Sequence, residues 1–313
     1  MEGILQAAFF TAFLATTVRL AIPLMLAALG ETLGERSGVL NIGLEGMMLT
    51  GAFFGVLGSF YTGSPWMGVL LGVLGGAAIA AIHAVVTITI GADQVVSGAA
   101  LNLVALGLTS FLHRLVFSVG GNVMTVSGFQ KIRIPGLSDL PVLGEVLFRH
   151  VSLVYLSVLL TAGLWVLIFK TTWGLRIRAV GEHPLAADTV GVGVLRVRYL
   201  CVIAGGAFAG LAGAYLSIGE GNFFVEDMIA GRGFIALAAV VFGRWNPWGV
   251  VAGCLVFGAA DAVQLNLKAA GVDLPYQVMQ SVPYVVTLLA LMGIAGRTTP
   301  PAALLVPYKK GGH

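Results

Sequence analysis

Residues 66–90 read Trp-Met-Gly-Val-Leu-Leu-Gly-Val-Leu-Gly-Gly-Ala-Ala-Ile-Ala-Ala-Ile-His-Ala-Val-Val-Thr-Ile-Thr-Ile, with no Asp, Glu, Lys or Arg. As a helix this stretch is about 37 Å long, enough to cross a hydrocarbon core of about 30 Å, and it has no charged face to turn toward water. It reads as a membrane span. Eight further apolar stretches read the same way, at about 4–29, 37–60, 95–117, 151–169, 199–219, 229–243, 249–267 and 277–296. The 229–243 stretch is too short to cross alone and reads as a half-span or broken helix.

The whole chain agrees. Of 313 residues only 10% are charged while 58% are hydrophobic, against roughly 25% charged in soluble domains. So few charges leave no hydrated outer surface for a soluble enzyme, no basic stripe for nucleic acid and no composition for disorder. The expected fold is an all-α integral membrane protein, a polytopic helical bundle of about nine spans forming a single transmembrane domain over 1–313. Cys201 and Cys254 lie in apolar stretches without a C-x-x-C pairing, so neither a disulfide nor a metal site is expected. The N-terminus has no basic leader region and reads as a retained helix.

Basic residues orient the bundle. Arg36, Lys170, Arg176, Arg178, Arg196, Arg198, Arg244, Arg297, Lys309 and Lys310 fall on one side, and Lys131, Arg133, Arg149 and Lys268 on the other. By the positive-inside rule the C-terminus is cytoplasmic and, with an odd span count, the N-terminus outside. The loop of about 118–150 is then outer and that of 170–198 inner. Pro65-Trp66-Met67-Gly68-Val69 resembles Pro247-Trp248-Gly249-Val250-Val251, each opening a span on opposite sides. This is a weak inverted repeat of the kind transporters use. Glycines at spacing four (Gly51 and Gly55; Gly68, Gly72 and Gly76; Gly206 and Gly210; Gly249 and Gly253) place small faces on single helices for close packing.

Polar groups inside spans are costly and need a partner, water or a task. Arg19, Asn41, Glu45, His83, Asn102, Asp261, Gln264 and Asn266 are such groups. Arg19 calls for a carboxylate partner; His83, with no second ligand at metal-binding spacing, reads as a satisfied core histidine. As a set they favour a translocation route. No Walker-type loop, Gly-x-Ser-x-Gly elbow or His-Glu-x-x-His helix occurs, which points to a transported solute rather than a reaction on this chain. An ion-coupled secondary transporter using Glu45, Asp261 and His83 as a proton relay is a competing reading.

The inner loop of about 176–198 contains Gly181-Glu182-His183-Pro184-Leu185-Ala186-Ala187-Asp188, where Pro184 starts a short helix that Gly191 or Gly193 ends. A two-turn knob between arginine pairs suits a docking helix. This loop resembles the coupling segment of binding-protein-dependent ABC importer permeases. The stretches Gly34–Met48 and Gly231–Pro247 are similar to signatures of the ribose and branched-chain amino acid permease superfamily, and specifically of its nucleoside-type members. The resemblance implies a pore subunit that pairs with a second, related permease as a heterodimer. It also implies an ABC ATPase holding ATP and Mg, with no cofactor on this chain, and an extracytoplasmic binding lipoprotein delivering a nucleoside or related small polar solute. A simple-sugar permease is the alternative. Gly181, Glu182, His183, Pro184, Ala186, Ala187 and Asp188 would couple to the ATPase. Asn41, Glu45, Asn102, Phe223, Phe224, Asp261 and Gln264 would lie near the path, and the setting would be a bacterial-type plasma membrane.

Overall fold

A backbone in lipid must satisfy its own N–H and C=O groups, and the chain does so with helices. The computed structural model describes residues 2–117, 125–269, 281, 285 and 299–309, with side chains excluded at 2–8 and 267–269. Eleven α-helices occur among them: α1 (Glu2–Arg36), α2 (Leu44–Thr62), α3 (Pro65–Ala84), α4 (Gln94–Phe117), α5 (Leu143–Leu147), α6 (Ser152–Lys170), α7 (Thr172–Glu182), α8 (Pro184–Thr189), α9 (Val194–Ala214), α10 (Arg232–Phe242) and α11 (Pro247–Ala269). Lys131 and Val151 form an isolated β-bridge. Among the described residues seven helices are long and apolar enough to cross a membrane: Phe9–Arg36, Leu44–Thr62, Pro65–Ile90, Gln94–Phe117, Ser152–Lys170, Val194–Gly221 and Pro247–Asn266. The expected 229–243 span is the short helix α10, of 11 residues, about 16 Å long. The expected 277–296 span lies outside the described residues.

The first and sixth spans are longer than expected. Polar residues at their ends, Glu31, Glu35 and Arg36 in α1 and Arg198 in α9, stay helical because they find partners inside the protein.

Glycine decides how closely the central helices approach. α3 and α9 run antiparallel, with Gly68 against Ile218, Gly72 against Gly210 and Ala214, and Gly76 against Gly206. A Cβ on Gly76 would sit 2.3 Å from the Gly206 carbonyl oxygen, and one on Gly210 2.3 Å from that of Gly72. Backbone thus touches backbone, the geometry small residues allow in membranes. Both helices end in a wide π turn, Val85–Ile90 and Tyr215–Gly221. The second is met by the loop after α4: Phe129 N–H donates to Ile218 O at 3.1 Å and Val126 N–H to Asn222 O at 2.8 Å. Around this seam α1 packs on α9 and α11, while α2 packs on α3 and α9. Leu24, Leu26, Leu29, Met47, Met48 and Phe53 fill the core.

The partners exchange in a regular way. α1 lies against α11 as α9 lies against α3, and α10 touches α1 and α11 as α2 touches α9 and α3. α3 and α11 each begin at the proline of the two Pro-Trp motifs, Pro65 and Pro247.

Candidate translocation site and coupling surface

Two helices start side by side within the bundle. After α1 the chain folds back along it, because Asn41 N–H donates to the Glu31 carboxylate at 2.8 Å, so α2 starts beside the body of α1 and not beyond its end. From there Glu45, in the first turn of α2, reaches α10. Its two carboxylate oxygens each accept a 2.7 Å bond, from Gly231 N–H and Gly233 N–H. These are orphan donors of a helix start, and a carboxylate there also meets the positive end of the helix dipole. Gly231 takes φ 86° to make the entry. Gly233 leaves room for the approach, since a Cβ would lie 2.6 Å from Glu45 N.

Cavities flank this junction. One, of about 350 Å³, is lined by Glu45, Asn102, Asp227 and Phe234 among others. Asn102 holds α4 to the start of α2, accepting from Gly46 N–H at 2.8 Å and donating to Ile42 O at 3.0 Å. The other, of about 200 Å³, is lined by Leu20, Arg232, Asp261, Gln264 and Leu265. Arg232 wraps its own turn, donating to Met228 O at 3.2 Å and Ile229 O at 3.1 Å, and its charge reaches Asp261 and Glu220. Glu220 pairs with Arg19 at 3.3 Å, the carboxylate partner expected for that arginine. Tyr215 O–H donates to Arg19 O at 3.2 Å. Arg19, Glu220, Arg232 and Asp261 therefore form a chain of alternating charge beside α1.

Of the expected path residues, Glu45, Asn102, Asp261 and Gln264 line cavities beside the α10 start. Asn41 does not. It is buried in the α1–α2 connection, accepting from Gly43 N–H at 3.0 Å and donating to Met47 Sδ at 3.1 Å. Phe224 is 3% exposed and packs edge-on against Phe53, so its ring is committed to the core; Phe223 lies against Gly221. His83 is fully buried, its ring nitrogens 3.2 Å from Ser97 Oγ and from Leu40 O. Glu226, outside the spans, is held below the usual carboxylate range by Arg114, in the last turn of α4, through bonds of 2.9 and 3.1 Å.

The inner-loop segment is two helices. α7 is capped by Thr171, whose Oγ1 accepts from Gly174 N–H at 3.1 Å. α8 starts at Pro184, and Gly191 at φ 83° ends the knob. Glu182, His183, Leu185, Ala186, Thr189 and Val190 are exposed, whereas Gly181 and Ala187 face inward. Gly181 packs on the end of α1, where a Cβ would meet Arg36 O at 2.1 Å.

Sequence reasoning missed what braces this knob. The segment 299–309 runs across it: Ala303 N–H donates to Gly181 O at 2.8 Å and Ala302 N–H to the Glu182 carboxylate at 3.2 Å. Arg198, only 2% exposed, donates to Ser37 O at 3.2 Å and Val306 O at 3.0 Å. Trp245 is tied to α1 through Glu35, whose carboxylate accepts its indole N–H at 2.5 Å, and through Arg36 at 3.0 Å. Arg198 carried only a topological signal in the sequence, and an apolar tail gives no pattern that predicts docking.

The family model described as the branched-chain amino acid transport system / permease component matches residues 13–294. The chain belongs to this permease family. Among its relatives the guanosine ABC transporter permease protein NupQ of Bacillus subtilis is 44% identical, over 94% of this chain and 95% of its own. The putative glucose ABC transporter permease protein TsgC13 of Haloferax volcanii is 40% identical over 96% and 98%. The nucleoside ABC transporter permease protein NupC of Lactococcus lactis is 38% identical over 92% and 93%. No solved structure matches the chain. Membership of this family, over nearly the whole chain, makes it a membrane permease component.

Proposed function

We propose that this permease is a membrane subunit of an ATP-driven importer that moves nucleosides inward. The observation that carries the reading is the likeness, over nearly the whole chain, to two relatives named for guanosine and nucleoside transport. A nucleoside is neutral and rich in hydrogen-bonding groups, so its path needs amides and balanced charges, and Asn102, Gln264 and the alternating chain beside α1 supply them. The path runs past the α10 start. The chain crosses the membrane about nine times, and the half-helix α10 follows a re-entrant stretch. The regular exchange of packing partners supports an inverted repeat relating α1–α3 to α9–α11.

The α7–α8 knob docks on the ABC ATPase, which binds ATP and Mg. A second, related permease completes the pore and an extracytoplasmic lipoprotein delivers the solute. The knob and segment 299–309 meet at the start of α9, and loop 125–132 meets its far end. A helix of 28 residues separates them, about 42 Å, in support of a cytoplasmic knob and C-terminus with an outer loop. The N-terminus is then outside the plasma membrane.

The Haloferax relative supports a second reading, a sugar permease. Cells expressing the permease with its partner subunits are expected to take up labelled guanosine and adenosine in a vanadate-sensitive manner. Glucose or ribose uptake without nucleoside uptake overturns the nucleoside reading, and uptake abolished by a protonophore with ATP held constant overturns the ATP-driven one.

A further inference from the structure

Beyond the α10 junction, at the end of the bundle that carries loop 125–151, lies a cavity of about 510 Å³ with a different chemistry. Arg19, Lys131, Arg133, Arg149 and His150 line it, opposed by Glu145 alone. Arg19 is already matched by Glu220 at 3.3 Å. Among the described residues the ion pairs within 4 Å are Arg19–Glu220 and Arg114–Glu226, so Glu145 closes on none of these cations. The surplus is positive charge from Lys131, Arg133 and Arg149.

The cations are held in place by backbone. Lys131 bridges to Val151, and Ile132 N–H donates to His150 O at 2.9 Å, which fixes the two chain segments side by side. Arg149 donates one terminal nitrogen to Ser138 O at 3.0 Å, while its Nε is buried without a partner. His150 sits 2.8 Å from Val146 O, and burial lowers its pKa, so the ring stays neutral and adds no charge. A fixed cluster of cations in excess over carboxylates is a receptor for an oxyanion.

We propose that this pocket binds a phosphate group. Three cations against one carboxylate leave room for up to two negative charges. Apolar side chains near the pocket support a phosphate borne on a lipid headgroup: on α5, Leu143 and Leu147 turn to the side away from the lining residue Glu145 and are 53% and 45% exposed. Phe9, on the same face of α1 as Thr16, is 55% exposed. A soluble phosphoester shares the chemistry. The inference stands whatever solute the transporter moves.

The test uses the assembled transporter with its partner subunits. In one arm it is placed in nanodiscs of phosphatidylcholine with or without phosphatidylglycerol, and the lipid retained on extraction is measured by native mass spectrometry. In the other it is held in detergent and titrated with inorganic phosphate and adenosine monophosphate. Selective retention of phosphatidylglycerol that free phosphate does not compete away assigns the site to lipid; saturable binding in detergent assigns it to a soluble phosphoester. Lys131→Gln combined with Arg133→Gln is expected to weaken the binding roughly thirtyfold, the factor that two cations facing a phosphate supply. Lys131→Arg with Arg133→Lys, which keeps the charges, is expected to retain it and guards against a folding defect. Absence of binding in both arms with the unaltered protein overturns the proposal. Equal binding by the Gln variant does so too, as does a variant that loses only its capture of the lipoprotein, because the pocket then takes protein carboxylates.

Discussion

Glu45 is the side chain on which the α10 start depends, and replacing it has a calculable consequence. In Glu45→Ala the N–H groups of Gly231 and Gly233 each lose a 2.7 Å charge-assisted bond. Such bonds contribute about 1.5–3 kcal/mol each, and a buried donor left unmade bears its desolvation cost. The adjoining cavity of about 350 Å³ is large enough to admit water, which replaces part of the loss. The expected destabilisation is therefore at the low end of the doubled figure, about 3 kcal/mol. Glu45→Gln keeps one carbonyl acceptor but turns an amide N–H₂ toward the other donor, for a loss of about 1–2 kcal/mol. Glu45→Asp keeps the charge but is one methylene short of reaching both donors. Equilibrium unfolding in mixed micelles, with α10 followed through the fluorescence of Trp245, is expected to rank the variants Ala, then Gln, above the native protein in loss of stability. A cost for Glu45→Ala below about 0.5 kcal/mol, the range of ordinary surface changes, refutes the capping argument. So does a Gln variant worse than Ala.

Four further outcomes follow from the same contacts. Gly76→Val drives a side chain into the Gly206 carbonyl and is expected to cost about 1–3 kcal/mol or more and to lower the yield of folded protein in detergent. Arg198→Met leaves the Ser37 and Val306 carbonyls without their donor; together with a chain ended after Thr298, it is expected to cut uptake strongly while lipoprotein binding persists, read by uptake and pull-down. Ala186→Trp, on the exposed side of α8, is expected to abolish ATPase association without loss of thermal stability, whereas Ala187→Trp, on the buried side, is expected to lower the melting temperature as well. Cysteines at the exposed positions Asp139 and Thr189 are expected to label from outside and from inside respectively, and outside labelling of Thr189 alone reverses the orientation.

Hydropathy made the spans readable because lipid imposes a single demand, an apolar helix of sufficient length, on almost every residue of a span. The same demand erases the information needed for the rest. α7 was not visible next to α8 although it buries Gly174, Ile177, Val180 and Gly181 at helical spacing, since two of those four are glycines and carry no apolar signal. Pro184 and Gly191 were legible because each acts through its own backbone geometry, and the structure uses both. Asn41 and Glu45 look alike in sequence, polar residues at the start of one span. Only the fold separates them, as Asn41 closes a local turn whereas Glu45 reaches across 186 residues to Gly231.

The contrast explains why the glycine-spaced faces and the polar residues have to be read together. Membrane helices that meet backbone to backbone along Gly76, Gly206 and Gly210 leave no space between them for a solute, so a path must lie where side chains hold the helices apart. Room of that kind opens on both flanks of the α10 start, beside Glu45 and Arg232, although Gly233 itself meets the Glu45 backbone as closely as the seam glycines meet one another. The start of α10 is held by Glu45 from another helix, while its body packs on α1 and α11 and Trp245 beyond its end is tied to Glu35 and Arg36 of α1, so removing the Glu45 carboxylate frees one end of the half-helix and leaves the other anchored.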